Sequence, residues 1–213
     1  MSYQWSYGDI LEAVEKITPE DQPALIHGDR VTNWGDFTRR TNNLARNLLA
    51  SGVQPGEKIA FYMRNCPEYS EGIAASFKAG LTHVNVNYRY IEHELIYLID
   101  NSDATVVVYH SEFQHYVAEI KNQLPGVKHW LAVDNGNASS YEDMANNGDG
   151  SSPGVKHSAD DLLFLYTGGT TGMPKGVMWR HSDLFQVLGA GGNPRLGTPP
   201  CADLAELLER LKV

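Results

Sequence analysis

The sequence predicts an α/β protein with a mostly parallel β-sheet, helices on both faces of that sheet, and an antiparallel hairpin near the C-terminus. Two observations lead to this fold class. Short apolar runs alternate with segments whose apolar residues recur every three or four positions. Strands that alternate with helices in this way are joined by crossovers, which make neighbouring strands parallel. Two further apolar runs, 162–166 and 177–179, lie close together on either side of a glycine-rich stretch, which is typical of a hairpin.

The first predicted elements are a small hairpin and a capped helix. Residues 24–27 and 30–32 are expected to pair around a turn at Gly28. Asn33 is expected to cap the next helix through its side chain, and Gly52 to end it. The apolar face of this helix contains Phe37, Thr41, Leu44 and Leu48.

The main sheet is predicted from four later strands and the helices between them. The strands are expected at residues 58–63, 82–86, 105–109 and 128–133. Pro67 suits the first turn of the helix that ends at Gly80. A second helix is expected over 91–98, and Ser111 is expected to cap a third. The apolar residues of the third helix are Phe113, Val117, Ile120 and Leu124.

The composition of the chain changes along its length, which predicts two subdomains joined by a connector. Residues 1–145 are predicted to form an α/β subdomain, and 146–160 a polar connector rich in turn-forming residues. Residues 161–213 are predicted to carry the hairpin and to begin a second subdomain. Within this last part, helices are expected at 182–188 and 202–212, the second because its leucines recur at helical spacing.

The overall charge excludes some classes of partner. A net charge of −9 and a pI near 5.3 argue against nucleic acid or an anionic membrane. The sequence contains neither a recognisable leader nor an apolar stretch of membrane-spanning length. Cys66 and Cys201 lie far apart and in no metal-binding or redox spacing. We therefore expect a soluble, cytoplasmic protein with reduced thiols.

The most informative motif is the glycine-rich stretch between the two hairpin strands. Residues 166–177 read Tyr-Thr-Gly-Gly-Thr-Thr-Gly-Met-Pro-Lys-Gly-Val. The glycines allow sharp turns and a close approach of main-chain amides to a ligand, the threonines add hydroxyl groups, and the lysine adds one positive charge. These are the groups that hold a polyphosphate, so the motif predicts binding of a nucleoside triphosphate.

Competing motif assignments fit the sequence less well. A Walker A loop needs Gly-Lys-Ser or Gly-Lys-Thr before a helix, whereas Pro174 precedes Lys175 here and a strand follows. A simple tight turn needs one or two glycines, but not three threonines and a lysine as well. The Gly-x-Ser-x-Gly match at 150–154 lies in the polar connector and not between a strand and a helix, so it does not indicate a hydrolase. The eight histidines show no metal-ligand spacing.

The stretch 166–177 resembles the phosphate-binding signature of adenylate-forming enzymes, which include acyl-CoA synthetases, amino-acid adenylation domains and luciferases. The glycine at 168, where that signature usually has serine or threonine, and the Met-Trp-Arg at 178–180 are most similar to bacterial fatty-acyl-CoA synthetases. Residues 52–60, 77–80 and 85–90 also resemble the family, so the resemblance runs from about Ala24 to the C-terminus. It implies the N-terminal part of the adenylate-forming fold.

The resemblance implies a two-step reaction and a set of binding residues. A carboxylic acid, fatty or related, would react with ATP to give acyl-adenylate and pyrophosphate, and coenzyme A would then displace AMP. The implied cofactors are ATP, Mg²⁺ and coenzyme A as co-substrate. The ATP phosphates would be held by Gly168, Gly169, Thr170, Thr171, Gly172 and Lys175, with Thr167 touching both phosphate and Mg²⁺. No residue of this chain is assigned a catalytic role.

Several later motifs of the family are missing from the sequence. They include the Tyr-Gly-x-Thr-Glu motif, a ribose-binding aspartate and the small C-terminal domain with its catalytic lysine. We therefore expect an N-terminal fragment of an acyl-CoA synthetase that is inactive alone and exposes apolar surface at the sheet edge and on its last helix. Two alternatives stay open: a non-catalytic ATP-binding or regulatory module, and a fragment of an amino-acid adenylation domain.

Overall fold

The computed structural model describes residues 4–134, 137, 139–167 and 173–212. The strands are β1 (Pro23–His27), β2 (Arg30–Asn33), β3 (Lys58–Tyr62), β4 (Thr82–Val86), β5 (Ala104–His110), β6 (His129–Val133), β7 (Leu162–Thr167) and β8 (Lys175–Arg180). The α-helices are α1 (Tyr7–Ile17), α2 (Trp34–Ala50), α3 (Pro67–Lys78), α4 (Glu92–Asn101), α5 (Gln114–Ile120), α6 (Ser140–Asn146), α7 (His181–Val187) and α8 (Leu204–Leu211). No helix among these residues is long and apolar enough to cross a bilayer.

Six of these strands form one sheet in the order β6-β5-β3-β4-β7-β8, while β1 and β2 form a separate hairpin. Within the described residues, each neighbouring pair of the large sheet is parallel except β7–β8, which is antiparallel. The predicted fold class is therefore confirmed. The step from β3 to β4 and back across β3 to β5 reverses the direction in which the sheet grows. Right-handed crossovers then place helices on opposite faces.

Two apolar cores lie on the two faces of the sheet. Alternate residues of β3 point to opposite sides: Ile59 and Phe61 belong to one core, and Ala60 and Tyr62 to the other. The first core includes apolar residues of α2, α3 and α6. The second includes residues of α4 and α5. The near-continuous apolar character of the inner strands follows from this burial on both faces.

The predicted signals at both ends of α2 and at the start of α3 are confirmed. The Asn33 side chain accepts a hydrogen bond of 2.7 Å from the main-chain N–H of Asp36, at the start of α2. Gly52 follows the end of this helix with a φ of +95°, a left-handed conformation that glycine adopts without strain. Pro67 is the first residue of α3, where a missing N–H costs nothing.

Two helices were not predicted, and one predicted cap is wrong. The unpredicted helices are α1 and α6; the second is capped by Ser139 and buries Tyr141. Ser111 does not cap an α-helix. It begins a 3-10 turn, α5 starts only at Gln114, and the Ser111 hydroxyl donates to Asp134 at 2.7 Å. The bond to Asp134 fixes the orientation of the Ser111 side chain toward the end of β6.

Apolar surface is exposed at the sheet edge, as expected, but the last helix is partly covered. On β8, the exposed fraction is 44% for Val177 and 65% for Met178. In α8, by contrast, Leu207 is buried in a small cluster with Trp5 and Cys201. The N-terminal segment, for which no element was predicted, is therefore what covers part of α8.

Candidate functional site

The glycine-rich stretch connects β7 to β8, and the structure describes both ends of that connection. Thr167 is the last residue of β7 and Lys175 the first of β8, and the two are direct partners in the antiparallel register. Both residues are exposed to solvent. The predicted binding residues Gly168, Gly169, Thr170, Thr171 and Gly172 lie outside the described residues. The structure thus brings together Thr167 and Lys175 of the predicted set.

The stem of the hairpin ends at the carboxyl edge of the parallel sheet. β7 runs parallel to β4, so Thr167 lies at the same edge as the turn that follows Val86. Open α/β sheets bind their ligands outside this edge. The location of Thr167 and Lys175 is therefore one at which a small-molecule site is expected.

Lys175 provides positive charge at this edge. Among the residues that the structure describes, no carboxylate lies within ion-pairing distance of the Lys175 ammonium group. The chain as a whole carries a net charge of −9. An exposed lysine that is not neutralised by these acids is available for an anionic ligand.

Three residues outside the predicted set hold the hairpin in place. The main-chain N–H of Tyr166 donates to the Asn85 side-chain oxygen at 2.8 Å, and the Tyr166 phenol donates to Asn101 at 2.8 Å. Burial raises the pKa of Tyr166, which keeps the phenol protonated as a donor. The ring of Tyr166 lies against Gly176 on the opposite strand. The sequence signal that could have revealed this arrangement is the asparagine inside the apolar strand β4.

The turn after β4 forms the neighbouring part of the same edge. The Asn87 side chain accepts from the main-chain N–H of Arg89 at 3.1 Å, and the N–H of Tyr90 donates to the Asn87 carbonyl at 3.0 Å. The Arg64 guanidinium lies 4.6 Å from the centre of the Tyr88 ring. From the sequence alone, residues 88–90 could form either a binding loop or an ordinary turn, and these local hydrogen bonds are those of an ordinary turn.

The described residues contain no group of three or more His, Cys, Asp or Glu side chains that could hold a metal ion. His83 and His181 are both buried, and burial lowers the pKa of each to about 4. Both histidines are therefore neutral at pH 7, and they pack against aromatic rings. These two histidines therefore lie in the protein core.

Comparison with known proteins identifies the family. A sequence profile described as AMP-binding enzyme matches residues 11–200. The chain belongs to this family. The match includes the hairpin, the parallel sheet and most of the helices that cover it.

Individual relatives agree with this assignment, and a solved structure shares the fold. A 3-oxocholest-4-en-26-oate–CoA ligase of Rhodococcus rhodochrous is 38% identical over 193 residues, which are 87% of this chain and 35% of the relative. Tyrocidine synthase 3 of Brevibacillus parabrevis is 32% identical over 178 residues, which are 83% of this chain and 3% of that protein. The crystal structure of the anthranilate CoA ligase AuaEII with anthranoyl-AMP superposes with a TM-score of 0.79 at 23% identity. That superposition covers 90% of this chain and 38% of the ligase. The chain thus spans little more than a third of the Rhodococcus relative and of the solved ligase.

Proposed function

We propose that this chain is the phosphate-binding portion of an ATP-dependent acyl-CoA synthetase. The complete enzyme activates a fatty or related carboxylic acid as acyl-adenylate and transfers the acyl group to coenzyme A. The observation that carries the proposal is the pairing of Thr167 with Lys175 at the carboxyl edge of the sheet. This pairing places a hydroxyl and an ammonium group at the two ends of one glycine-rich connection.

Three kinds of group in the loop would bind the triphosphate: main-chain amides, hydroxyl groups and one ammonium group. The main-chain amides of Gly168, Gly169 and Gly172 and the hydroxyls of Thr170 and Thr171 would bind the β- and γ-phosphates. Lys175 adds a positive charge that stabilises negative charge developing on the leaving pyrophosphate. The hydroxyl of Thr167 would be the contact that this chain offers to Mg²⁺, which prefers oxygen ligands.

Several features of the chain fit these ligands. Lys175 is exposed and makes no ion pair with the described acids, as a lysine that binds phosphate requires. The thiols of Cys66 and Cys201 are free and buried, which suits a cytoplasmic enzyme that works among reduced thiols. The acid and coenzyme A would also contact polypeptide that this chain does not contain.

The isolated chain is proposed to lack ligase activity, because it spans only 35% of the Rhodococcus relative. The test is a chimaera in which this chain replaces the matching segment of that relative. We expect acid-dependent exchange of pyrophosphate into ATP by the chimaera, and none by the isolated chain. We also expect Lys175→Met to reduce the exchange of the chimaera at least ~10-fold, as the loss of a charge-assisted contact to phosphate predicts. A folded chimaera without exchange would contradict the proposal.

A second candidate is part of an amino-acid adenylation domain, and the match to tyrocidine synthase 3 favours it. Both kinds of enzyme would use the same phosphate loop, so the acid and the acceptor distinguish them. The same experiment is repeated with chimaeras built on both relatives and a panel of fatty acids and amino acids. The second candidate would be favoured if the tyrocidine-based chimaera exchanged pyrophosphate in the presence of amino acids and the CoA-ligase chimaera showed no exchange with any acid.

A further inference from the structure

The strand that leads into the phosphate loop loses its main-chain pairing with β4 before it reaches the loop. β7 pairs with β4 at two positions only, His83 with Leu163 and Val84 with Phe164. One residue further along β4, the contact with β7 is made by the side chain of Asn85. Its oxygen accepts a hydrogen bond of 2.8 Å from the main-chain N–H of Tyr166. The last hydrogen bond between β4 and the carboxyl end of β7 therefore involves a side chain.

Tyr166 is held at a second point by its phenol. The hydroxyl donates at 2.8 Å to the side-chain oxygen of Asn101, the last residue of α4. The side chain of Tyr166 is largely buried, with 9% of the residue exposed. The residue that immediately precedes Thr167 is thus bonded to β4 through its main chain and to α4 through its side chain.

The ring of Tyr166 also fixes the opposite strand of the hairpin. Tyr166 pairs with Gly176 in the register, one position before the pair of Thr167 and Lys175. A Cβ atom on Gly176 would lie 2.8 Å from Tyr166 Cζ and 2.9 Å from Cε2. These distances are too short for a real side chain, so the ring occupies the space next to the β8 backbone. The Tyr166 ring therefore belongs to the residue next to Thr167 on one strand and packs against the residue next to Lys175 on the other.

We propose that Asn85 and Tyr166 are positioning residues for the phosphate-binding loop: they set the direction in which Thr167 and Lys175 approach the triphosphate. This inference rests on the proposed function. Aligning binding groups only when the ligand arrives lowers the affinity. A rigid stem reduces that cost before the ligand arrives, because the two residues at its tip are already aligned.

The first test compares Asn85→Leu with a matched control at the same edge of the sheet. Asn85→Leu has a similar size but removes the acceptor for the Tyr166 N–H. Asn87→Leu makes the same exchange in the turn after β4, where the side chain bonds Arg89 and not the hairpin. Binding of MgATP is measured by isothermal titration calorimetry on the full 213-residue chain. We expect Asn85→Leu to weaken binding ~5-fold, as the loss of one hydrogen bond suggests, and Asn87→Leu to bind as the wild type does.

The second test removes only the phenol oxygen. Tyr166→Phe keeps the ring against Gly176 but loses the bond to Asn101. The control, Tyr109→Phe, removes another buried hydroxyl on the same face of the sheet, which bonds Gln114. We expect ~3-fold weaker MgATP binding for Tyr166→Phe only. Both phenylalanine variants are expected to lose similar thermal stability, so a role of Tyr166 in stability alone would not produce this difference in binding.

Hydrogen exchange separates this inference from the proposed function. In the chain without nucleotide, we expect faster amide exchange over 162–167 and 175–180 in Asn85→Leu than in Asn87→Leu. Equal MgATP affinity of wild type, Asn85→Leu and Tyr166→Phe would overturn the positioning role. If the wild-type chain itself binds no MgATP, the same variants are compared in the chimaera, where a lack of pyrophosphate exchange with the wild-type segment contradicts the proposed function. Unchanged amide exchange in the hairpin of Asn85→Leu overturns this inference in either case.

Discussion

Lys78 lies inside the protein with its ammonium nitrogen 2.6 Å from a carboxylate oxygen of Glu15, and this ion pair joins α3 to α1. The side chain of Lys78 is fully buried, and it also donates to Thr41 at 2.7 Å and to Asn42 at 2.9 Å. Burial lowers the pKa of Lys78 and raises the pKa of Glu15. Both changes favour the neutral forms, so desolvation is the dominant influence on this pair. A lysine in this position depends on its partner.

The first prediction concerns the loss of that partner. Glu15→Leu leaves a buried ammonium group without its counter-charge, so we expect the free energy of unfolding to fall by about 3 kcal/mol. The double variant Glu15→Leu with Lys78→Met removes both charges and should recover much of this loss. Urea denaturation of the wild type, both single variants and the double variant gives the four values. Simple additivity of the two single effects would show that the pair is not coupled.

The second prediction concerns the arginine that joins three helices. Arg40 of α2 forms two-pronged hydrogen bonds to Glu71 of α3 and to Glu142 of α6, all at 2.8 Å. Lysine cannot reproduce this planar fork. We expect Arg40→Lys to lower the free energy of unfolding by about 2 kcal/mol. Arg39→Lys is the matched control, because the half-buried Arg39 forms a single ion pair among the described residues, with nearby Asp36, and its effect should stay within about 0.5 kcal/mol. Equal effects of the two variants would contradict this account of Arg40.

The third prediction is a loss of stability in mild acid. Burial, assisted by the nearby His157, lowers the pKa of His181 to about 4 from an ordinary value of 6.5. Between these two values the unfolded chain binds the proton and the folded chain does not, so stability falls as the pH falls from about 6.5 to about 4. The loss approaches about 1.4 kcal/mol per pH unit for one such group.

The measurement compares urea midpoints at pH 7 and pH 5. The groups packed around His181 are Tyr7, Phe77 and His157. Buried carboxyls with raised pKa values, such as Glu71, act in the opposite direction, so only the difference between variants isolates the histidine. His181→Gln should lose less stability on acidification than the wild type. His93→Gln, at an exposed site on α4, should behave as the wild type does. Identical pH dependence in all three proteins would be evidence against a neutral His181.

The fold could be predicted from the sequence because its local signals agree with the tertiary structure. Asn33, Gly52 and Pro67 mark helix ends by simple backbone chemistry, and burial on both faces makes the inner strands uniformly apolar. The Ser111 cap failed because a tertiary partner, Asp134, competes for the hydroxyl. No local pattern contains that information, since the two residues meet only when β5 and β6 pair.

The site could be predicted only in part. The composition of the loop indicated phosphate binding, but the residues that hold the loop are distant in sequence. Asn85 and Asn101 meet Tyr166 across 81 and 65 positions of the chain. Their role depends on how β7 separates from β4, and strand pairing of this kind is set by the whole sheet. The requirement for glycine at 176 likewise arises from a ring on the opposite strand.

The most direct test of the central claim is titration of MgATP into the 213-residue chain and two lysine variants. Lys175→Met removes the ammonium group at the start of β8, whereas Lys156→Met removes an exposed lysine in the connector between α6 and β7. If Lys175 holds the triphosphate, Lys175→Met should weaken MgATP binding at least ~10-fold, Lys156→Met should leave it unchanged, and the wild type should bind ATP more tightly than AMP. Equal affinity of the two variants, or equal binding of ATP and AMP by the wild type, would contradict the account.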